Sequence, residues 1–378
     1  MLRKFSVTNF KGFKDKFTLD FTDSKSFEFN QECIKDDTIY KALIYGVNGC
    51  GKSNLGCAIM DIQFHLTDWN LHEKRDLYKN YINALSNEKY AKFSYEFYFA
   101  GDTLIYEYWK ENADEVIAEK IIINNKELIH IDKRTDQNGT VLLKGAESLK
   151  TDMAGKSLSF VKFIHNNSVL DDENQENKTF NRFINFVNYM RMIKTVDTHK
   201  TMSYKTSLAS NYILEEADGL QKFESFLNSC NIKCSLTTID VGEEDPHIAF
   251  NFDSKAISFF DVASTGTLSL GYLYVSLLIL KRHIKEYGAT FIYIDEFDAF
   301  YHYLLAKKLI DLLKNEDGVQ AVFTTHNTDL MNNDLMRPDC LFNMTESEIN
   351  PFHKLTKKDL RKAHNNQKMF KAGMFNEL

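Results

Sequence analysis

KALIY-GVNGCGKS-NLGCAIMDIQFHL, residues 41–66, is the stretch that decides how the rest of the chain is read. It begins as a short apolar run of strand type and ends with Leu55, Ile59, Ile62 and Leu66 at helical spacing. Between them Gly46-Val47-Asn48-Gly49-Cys50-Gly51-Lys52-Ser53 fits the pattern GxxxxGK[ST]. The glycines let the backbone curl so that N–H groups converge on a phosphate, and the positive end of the following helix adds to the attraction. Lys52 is expected to reach the outer phosphates and the Ser53 hydroxyl to hold Mg²⁺, with Asn48, Cys50 and Asn54 completing the cradle. An accidental glycine-rich turn would need neither the strand before it nor the helix after it.

The last third of the chain supplies matching parts. ATFIYIDE (289–296) is a buried strand that delivers Asp295 and Glu296 at its C-terminal end, where parallel sheets place ligands. Asp295 is assigned to Mg²⁺ and Glu296 to the attacking water. Alone, an acidic strand end is common; after a phosphate loop it completes a site. GVQAVFTTH (318–326) is another strand, ending in His326, which is assigned to the γ-phosphate. Ser264 and Gly266, in ASTGT (263–267), start the long apolar helix LSLGYLYVSLLILKRHIKEY and offer a second anion site at its N-terminus. An ordinary helix cap has the same composition; the place of this one, a helix and a strand before IDE, favours the ligand.

Around these parts, FSVTNF and KFTLDF read as a hairpin, and KFSYEFYFA, TLIYEYWK, EVIAEKIIIN and KELIHID as an antiparallel meander over 92–135. Residues 150–230 read as a mainly helical insertion, with FNRFINFVNYMRMI and ILEEADGLQKFESFLNSC as helices and the polar run 166–181 as a loop. SLTTIDV and HIAFNF resume strand character. YLLAKKLIDLLK is a helix and CLFNM a last strand. Strand–helix alternation in the final third implies a parallel sheet, so the fold class is α/β.

With 378 residues, 43% of them hydrophobic, the chain can build one large domain. Its net charge of −7 argues against a general polyanion coat. The six cysteines show no CxxC spacing, which implies neither a disulfide framework nor a zinc site and fits a cytoplasmic protein. No secretion signal or membrane-spanning run is expected.

The order of these parts resembles the ABC-type ATPases of the SMC, RecF and OLD group, which have a phosphate loop, a serine-glycine signature turn, a D-E strand end and a switch histidine. MLRKFSVTNFKGFKD looks like their first strand, followed by a basic residue near the nucleotide, here Lys11. TTHNTDLMNNDLMRPDCLFNMTE with KLTKKDLRKAHNNQKMFKAGMF is similar to compact AAA-type ATPases of bacterial abortive-infection and anti-phage systems.

The resemblance implies an ABC-type P-loop NTPase head over residues 1–378 that binds and hydrolyses ATP with Mg²⁺. It further implies a head-to-tail homodimer, open to higher assembly, in which Ser264 and Gly266 close over ATP held by Lys52 and Ser53 of the other subunit, with Asp298 at the seam. The function implied is a switch controlling a separate effector, a nuclease or toxin, in phage defence. The rival readings are a RecF-like DNA-repair or DNA-loading ATPase and an ATP-bound scaffold that does not hydrolyse.

Departures are visible. STGTLSLG is not LSGGQ, no Q-loop glutamine can be assigned because Gln63 comes too early, and Ala299, Phe300 and Tyr301 follow DEFD. The roughly 80 residues after the acidic strand end lack the paired-acid strand ends of a TOPRIM nuclease. The C-terminal segment 354–378 is basic, with seven Lys/Arg against Asp359 over 354–371. Nucleic acid is one reading of it and a solvated helix face the other.

Overall fold

A computed structural model describes residues 1–67, 79–195, 206–240, 242 and 246–375. The chain opens with β1 (Leu2–Thr8) and β2 (Phe17–Asp20), then a two-stranded ribbon of β3 (Ile34–Lys35) and β4 (Thr38–Ile39), and enters β5 (Lys41–Tyr45). The phosphate loop leads into α1 (Lys52–Met60) and the one-turn α2 (Gln63–Leu66). The meander follows as β6 (Ala91–Phe99), β7 (Asp102–Lys110), β8 (Val116–Ile123), β9 (Lys126–Asp132) and β10 (Asp136–Val141). With β1 and β2 it forms one seven-stranded antiparallel sheet in the order β10-β9-β8-β7-β6-β1-β2.

Next come α3 (Phe160–Asn167), α4 (Gln175–Asn188), β11 (Arg191–Lys194), α5 (Thr206–Leu214) and α6 (Gly219–Ser229). A small sheet of β12 (Leu236–Ile239), β13 (His247–Phe252) and β14 (Lys255–Ser258) precedes α7 (Phe259–Val262) and the long α8 (Thr265–Tyr287). The last part alternates β15 (Thr290–Asp295), α9 (Tyr303–Lys314), β16 (Val319–Thr325), β17 (Leu341–Met344), β18 (Ile349–Pro351) and α10 (Asn366–Lys371). The core sheet runs β11-β15-β16-β5-β17-β18, parallel except for β18. Each residue of β5, β15 and β16 is buried, as expected for parallel strands covered on both faces.

The meander shows the opposite pattern. Phe93, Tyr95, Phe97, Tyr106 and Tyr108 alternate inward and are all buried, while their neighbours face outward. This aromatic face packs on α1 and α4: Tyr95 donates to the carbonyls of Ala58 and Ile59, and Phe97 meets Phe183 and Phe186 at 5.3 and 5.5 Å between ring centres. On its other side α1 lies against β11 and β15, since a Cβ at Gly56 would come within 2.6 Å of both Met192 and Tyr293. The phosphate-loop helix is therefore the middle layer between two sheets.

A buried polar cluster joins these layers. Asp61, just past α1, accepts from Tyr81 and Tyr108 (2.9 Å each) and pairs with Lys110 at 3.1 Å. Burial pushes the Asp61 carboxyl up and the Lys110 ammonium down, and the ion pair with its hydrogen bonds opposes both shifts. His65 contacts Tyr106 at 2.8 Å, and Tyr106 and Ser159 donate to Glu119 at 2.6 Å.

Two local expectations change. The polar run 166–181 is not loop throughout, because Asn174 caps α4 by accepting from the Asn177 amide and Gln175 already begins the helix. Glu176 and Lys178 are half-exposed on that helix, while Asp171, Asp172 and Glu173 precede it. MRMI, expected as the end of a helix, instead provides β11, which completes the hydrogen bonding of β15 on that side.

Candidate functional site

The parallel strands end together, so β5, β11, β15 and β16 deliver their last residues to one rim. Tyr45 opens into the phosphate loop there, beside Thr325 in register. Gly49 and Gly51 take φ of 86° and 105°, the left-handed region that glycine enters without penalty. At Gly46 a Cβ would lie 2.5 Å from the Cys50 sulfur and 2.8 Å from the Met344 carbonyl, so the loop closes only without a side chain. Asn48 is exposed, Cys50 is buried beneath the loop, and Asn54 stands in the first turn of α1.

Lys52 is buried, and its ammonium donates to the carbonyls of Gly46 (2.7 Å) and Val47 (3.1 Å). The next residue reaches the end of β15, two strands from β5: the Ser53 hydroxyl donates to Asp295 Oδ2 at 2.5 Å. The other Asp295 oxygen accepts from the Thr324 hydroxyl at 2.7 Å. Thr324 in turn accepts from the Glu296 amide at 2.9 Å. Glu296 has φ 49°, a conformation that costs a non-glycine residue about 1–2 kcal/mol, and that hydrogen bond helps hold it.

Asp298 is turned inward and accepts from Thr325 at 2.7 Å, while Ala299 and Phe300 are exposed. His326 follows β16 directly and is exposed at the same rim. Ser264 caps α8, with its oxygen 2.9 Å from Thr267 Oγ1 and accepting from the Thr267 amide at 3.3 Å. Gly266 packs against Phe300, 3.5 Å from where its Cβ would be. Thus Ser264 and Gly266 sit with the segment after the acidic strand end.

Lys11 lies in the β1–β2 turn with φ 48°, and its ammonium donates to the Lys79 carbonyl at 3.0 Å. The turn leans on the start of α1, since a Cβ at Gly12 would be 3.4 Å from Asn54 Nδ2 and Phe13 flanks Gly51. Desolvation lowers the Lys11 pKa, with Lys194 adding to the effect and Cys57 opposing it. Gln63 is far from this rim in role, donating to the carbonyls of Val187 and Met190 between α2 and α4.

Four contributors had no motif to announce them. Thr324 and Thr325 order the acids, Tyr293 donates to the Lys52 carbonyl at 2.7 Å, and Lys194 ends β11. The only sequence signal was the pair of hydroxyls in TTH at the end of an otherwise apolar strand.

The donor set suits a hard cation shared with phosphate: one hydroxyl and one carboxylate, oxygen only, leaving other positions to phosphate and water. Among the described residues no cluster of three or more His, Cys, Asp or Glu could hold a metal by itself.

Residues 41–332 match the family described as "AAA domain, putative AbiEii toxin, Type IV TA system". The chain belongs to this family of AAA-domain proteins. An SMC head bound to the C-terminal winged-helix domain of ScpA shares the fold, with TM-score 0.51, 15% identity, and 92% of this chain and 96% of that one covered. An SMC head from Thermotoga maritima aligns with TM-score 0.41, 14% identity and coverage of 93% and 98%. The recombination mediator RecF in its ATPrS form aligns with TM-score 0.42, 16% identity and coverage of 93% and 98%. No curated protein matches the sequence. Among the described residues no helix is long and apolar enough to cross a membrane.

Proposed function

We propose that this member of the AAA family binds ATP with Mg²⁺ in the phosphate loop and hydrolyses it. The observation that carries the reading is the continuous chain Ser53–Asp295–Thr324–Glu296, which ties the loop to both strand-end acids. Lys52, Gly46, Gly49, Gly51 and Asn54 surround the phosphates. Ser53 and Asp295 would hold Mg²⁺, which supplies charge neutralisation across the outer phosphates when bound. Glu296 orients a water and takes its proton as the water oxygen bonds to the γ-phosphorus. The bond from that phosphorus to the β–γ bridging oxygen breaks, giving ADP and phosphate. His326 and Lys52 stabilise the charge that moves onto the phosphate oxygens.

We infer further that two copies close head to tail over ATP, with Ser264 and Gly266 facing the partner's phosphate loop. Exposed apolar side chains support this reading: Val47 in the loop is 74% exposed, Val262 just precedes the signature turn, Phe300 packs on Gly266, and Leu304 (67%) follows one turn of chain later. Separation after hydrolysis would then signal to an effector, a nuclease or toxin in a bacterial cytoplasm. The basic C-terminal segment remains a candidate for nucleic acid. It is pinned in place, since Asn333 donates to the carbonyls of Arg361, Lys362 and His364.

ATP turnover measured against protein concentration, beside Glu296→Gln, tests both halves. Specific activity that rises with concentration and vanishes in Glu296→Gln supports the composite dimer site. Activity that survives in Glu296→Gln removes that residue from the catalytic role. Wild-type protein that binds ATP without turning it over favours the scaffold reading.

A further inference from the structure

Residues 354–371 carry seven Lys or Arg and one acid, which leaves 39 basic and 52 acidic residues in the rest of the chain, a balance of −13. Among the described residues, Lys354 pairs with Asp23 at 2.6 Å and Arg361 with Asp359 at 3.5 Å. Lys357, Lys358, Lys362, Lys368 and Lys371 are exposed, and no described carboxylate lies within ion-pair distance of them. They stand on a fixed backbone. Asn333 is buried, donates to the carbonyls of Arg361, Lys362 and His364, and accepts from Asn366 at 2.7 Å. Phe370 of α10 stacks with Phe352 at 6.1 Å between ring centres, and Phe352 meets Tyr45 of β5 at 5.8 Å.

A line of hydrogen bonds joins this segment to the catalytic rim. Gln367 of α10 donates to the Asp329 carboxylate. The Asp329 amide donates to Asn327 Oδ1 at 3.0 Å, and the Asn327 amide donates to the Thr325 hydroxyl at 2.9 Å. That hydroxyl donates in turn to Asp298 at 2.7 Å. His326 lies between Thr325 and Asn327, so the bond joining its two neighbours sets its backbone. One hydroxyl therefore holds both the segment after the acidic strand end and the turn that carries His326.

We propose that the basic surface of residues 357–371 docks an acidic polypeptide and reports its presence to His326 through Gln367, Asp329 and Asn327. Charge complementarity selects the partner. A short run of carboxylates matches the patch locally, whereas a long polynucleotide carries about one charge per 1.7 Å and would run on over an acidic remainder of −13. A pre-formed surface also suits a partner of defined shape, since its backbone need not be ordered on binding. Lys368 and Lys371 flank Gln367 on the same short helix, so a partner that pulls on them acts on the donor to Asp329. A shift there passes to Asn327 and the Thr325 hydroxyl, and so to both neighbours of His326. The partner biases that equilibrium only by the contacts it makes with the shifted helix.

This inference rests on the ATP site proposed above, and two readouts separate them. Binding of a labelled polyglutamate peptide, and of an oligothymidylate of equal charge, is followed by fluorescence anisotropy on the full chain. ATP turnover is measured with and without each. Polyglutamate should bind more tightly than the oligonucleotide, and reversing Lys357, Lys358 and Lys362 to Glu should weaken it about tenfold or more. Saturating peptide should change turnover at least about threefold. Gln367→Ala should bind the peptide within about threefold of wild type yet lose its effect on turnover. Asp329→Asn, which keeps an acceptor for Gln367, should retain both. An oligonucleotide that binds as tightly as the peptide, or a peptide that does not bind, overturns the docking assignment. Peptide binding that leaves turnover unchanged, or still changes it in Gln367→Ala, overturns the relay and leaves the ATP site standing. If the wild type neither binds nor turns over ATP, the nucleotide reading fails and this inference with it. Unfolding midpoints show that each variant compared is folded.

Discussion

Replacing Thr324 with Val should separate the ordering of the acids from the binding of the nucleotide. The Thr324 hydroxyl is buried, donates to Asp295 at 2.7 Å and accepts from the Glu296 amide at 2.9 Å. Valine keeps the branched shape and removes both bonds. A hydrogen bond to a charged acceptor is worth about 1.5–3 kcal/mol, and a stranded amide costs about 1–3 kcal/mol more. The two losses share one atom and are not additive, so the folded state should lose about 2–4 kcal/mol. Turnover should suffer through Glu296, whose left-handed backbone is held by that amide bond. A change of about 1.4–2.8 kcal/mol in its positioning corresponds to roughly 10- to 100-fold in rate. ADP affinity should hold within about threefold, because Lys52 and the loop glycines are untouched. Thr324→Ser, which keeps the hydroxyl, should stay near the wild type. Turnover assays and ADP titrations on the three proteins decide the matter. A valine variant within about twofold of wild-type turnover would contradict the positioning role of Thr324, as would one that loses ADP binding in step with activity.

Loop closure and the buried polar groups are open to test as well. Gly46→Ala should impair ATP binding about tenfold or more in an equilibrium titration, because its Cβ would lie 2.5 Å from the Cys50 sulfur and 2.8 Å from a backbone oxygen that cannot move far. Asp61→Asn should cost about 3–5 kcal/mol in a denaturant titration by leaving Lys110 charged and unpaired. The double change Asp61→Asn with Lys110→Met should return much of that loss, and a double variant as unstable as the single would contradict the pairing. His283 is buried against Tyr189, with ring centres 3.6 Å apart, and burial lowers its pKa to about 4. The unfolded chain then binds the proton more readily, so stability should fall as pH drops from about 6.5 toward 4, by about 2 kcal/mol after allowance for partial screening. Thermal unfolding of His283→Phe should show a shallower loss over that pH window, with Glu286 and Arg191 left in place.

Much of the fold was legible because strong patterns carried it. The strand ATFIYIDE and the helix YLLAKKLIDLLK have unambiguous periods, and the observed β15 and α9 lie within them. The meander was visible from its alternating tyrosines and phenylalanines. β11 was not. Four residues of strand follow α4 with only Tyr189 and Met190 between, and no glycine or proline marks the change of period. What makes RMIK a strand is the open edge of β15, a tertiary fact outside the local sequence. The same blindness hid Lys194, since a lysine becomes interesting only when its neighbour across the ladder is Asp295. Thr324 was hidden differently. A threonine in a buried strand is ordinary until the structure shows which hydrogen bonds its hydroxyl makes.

Two buried polar clusters in this chain obey the same rule and end in different states. Asp61 draws its partners from the meander and the segment before it: two phenols and an ammonium, all held by packing. Nothing small could replace those partners without unpacking the sheet, so the cluster fixes α1 against the meander. Lys52, nine residues earlier at the start of the same helix, is also buried and must also be satisfied. It draws on the carbonyls of Gly46 and Val47, which belong to the loop itself. Those acceptors are neutral and sit on a turn of glycines and exposed residues, so a phosphate oxygen with a full charge can displace them at little cost. A helix locked at its far end and provisionally satisfied at its near end can exchange partners at the loop without moving as a body. That asymmetry follows from where each partner is anchored, and it is why an anion is expected at Lys52 and none at Lys110.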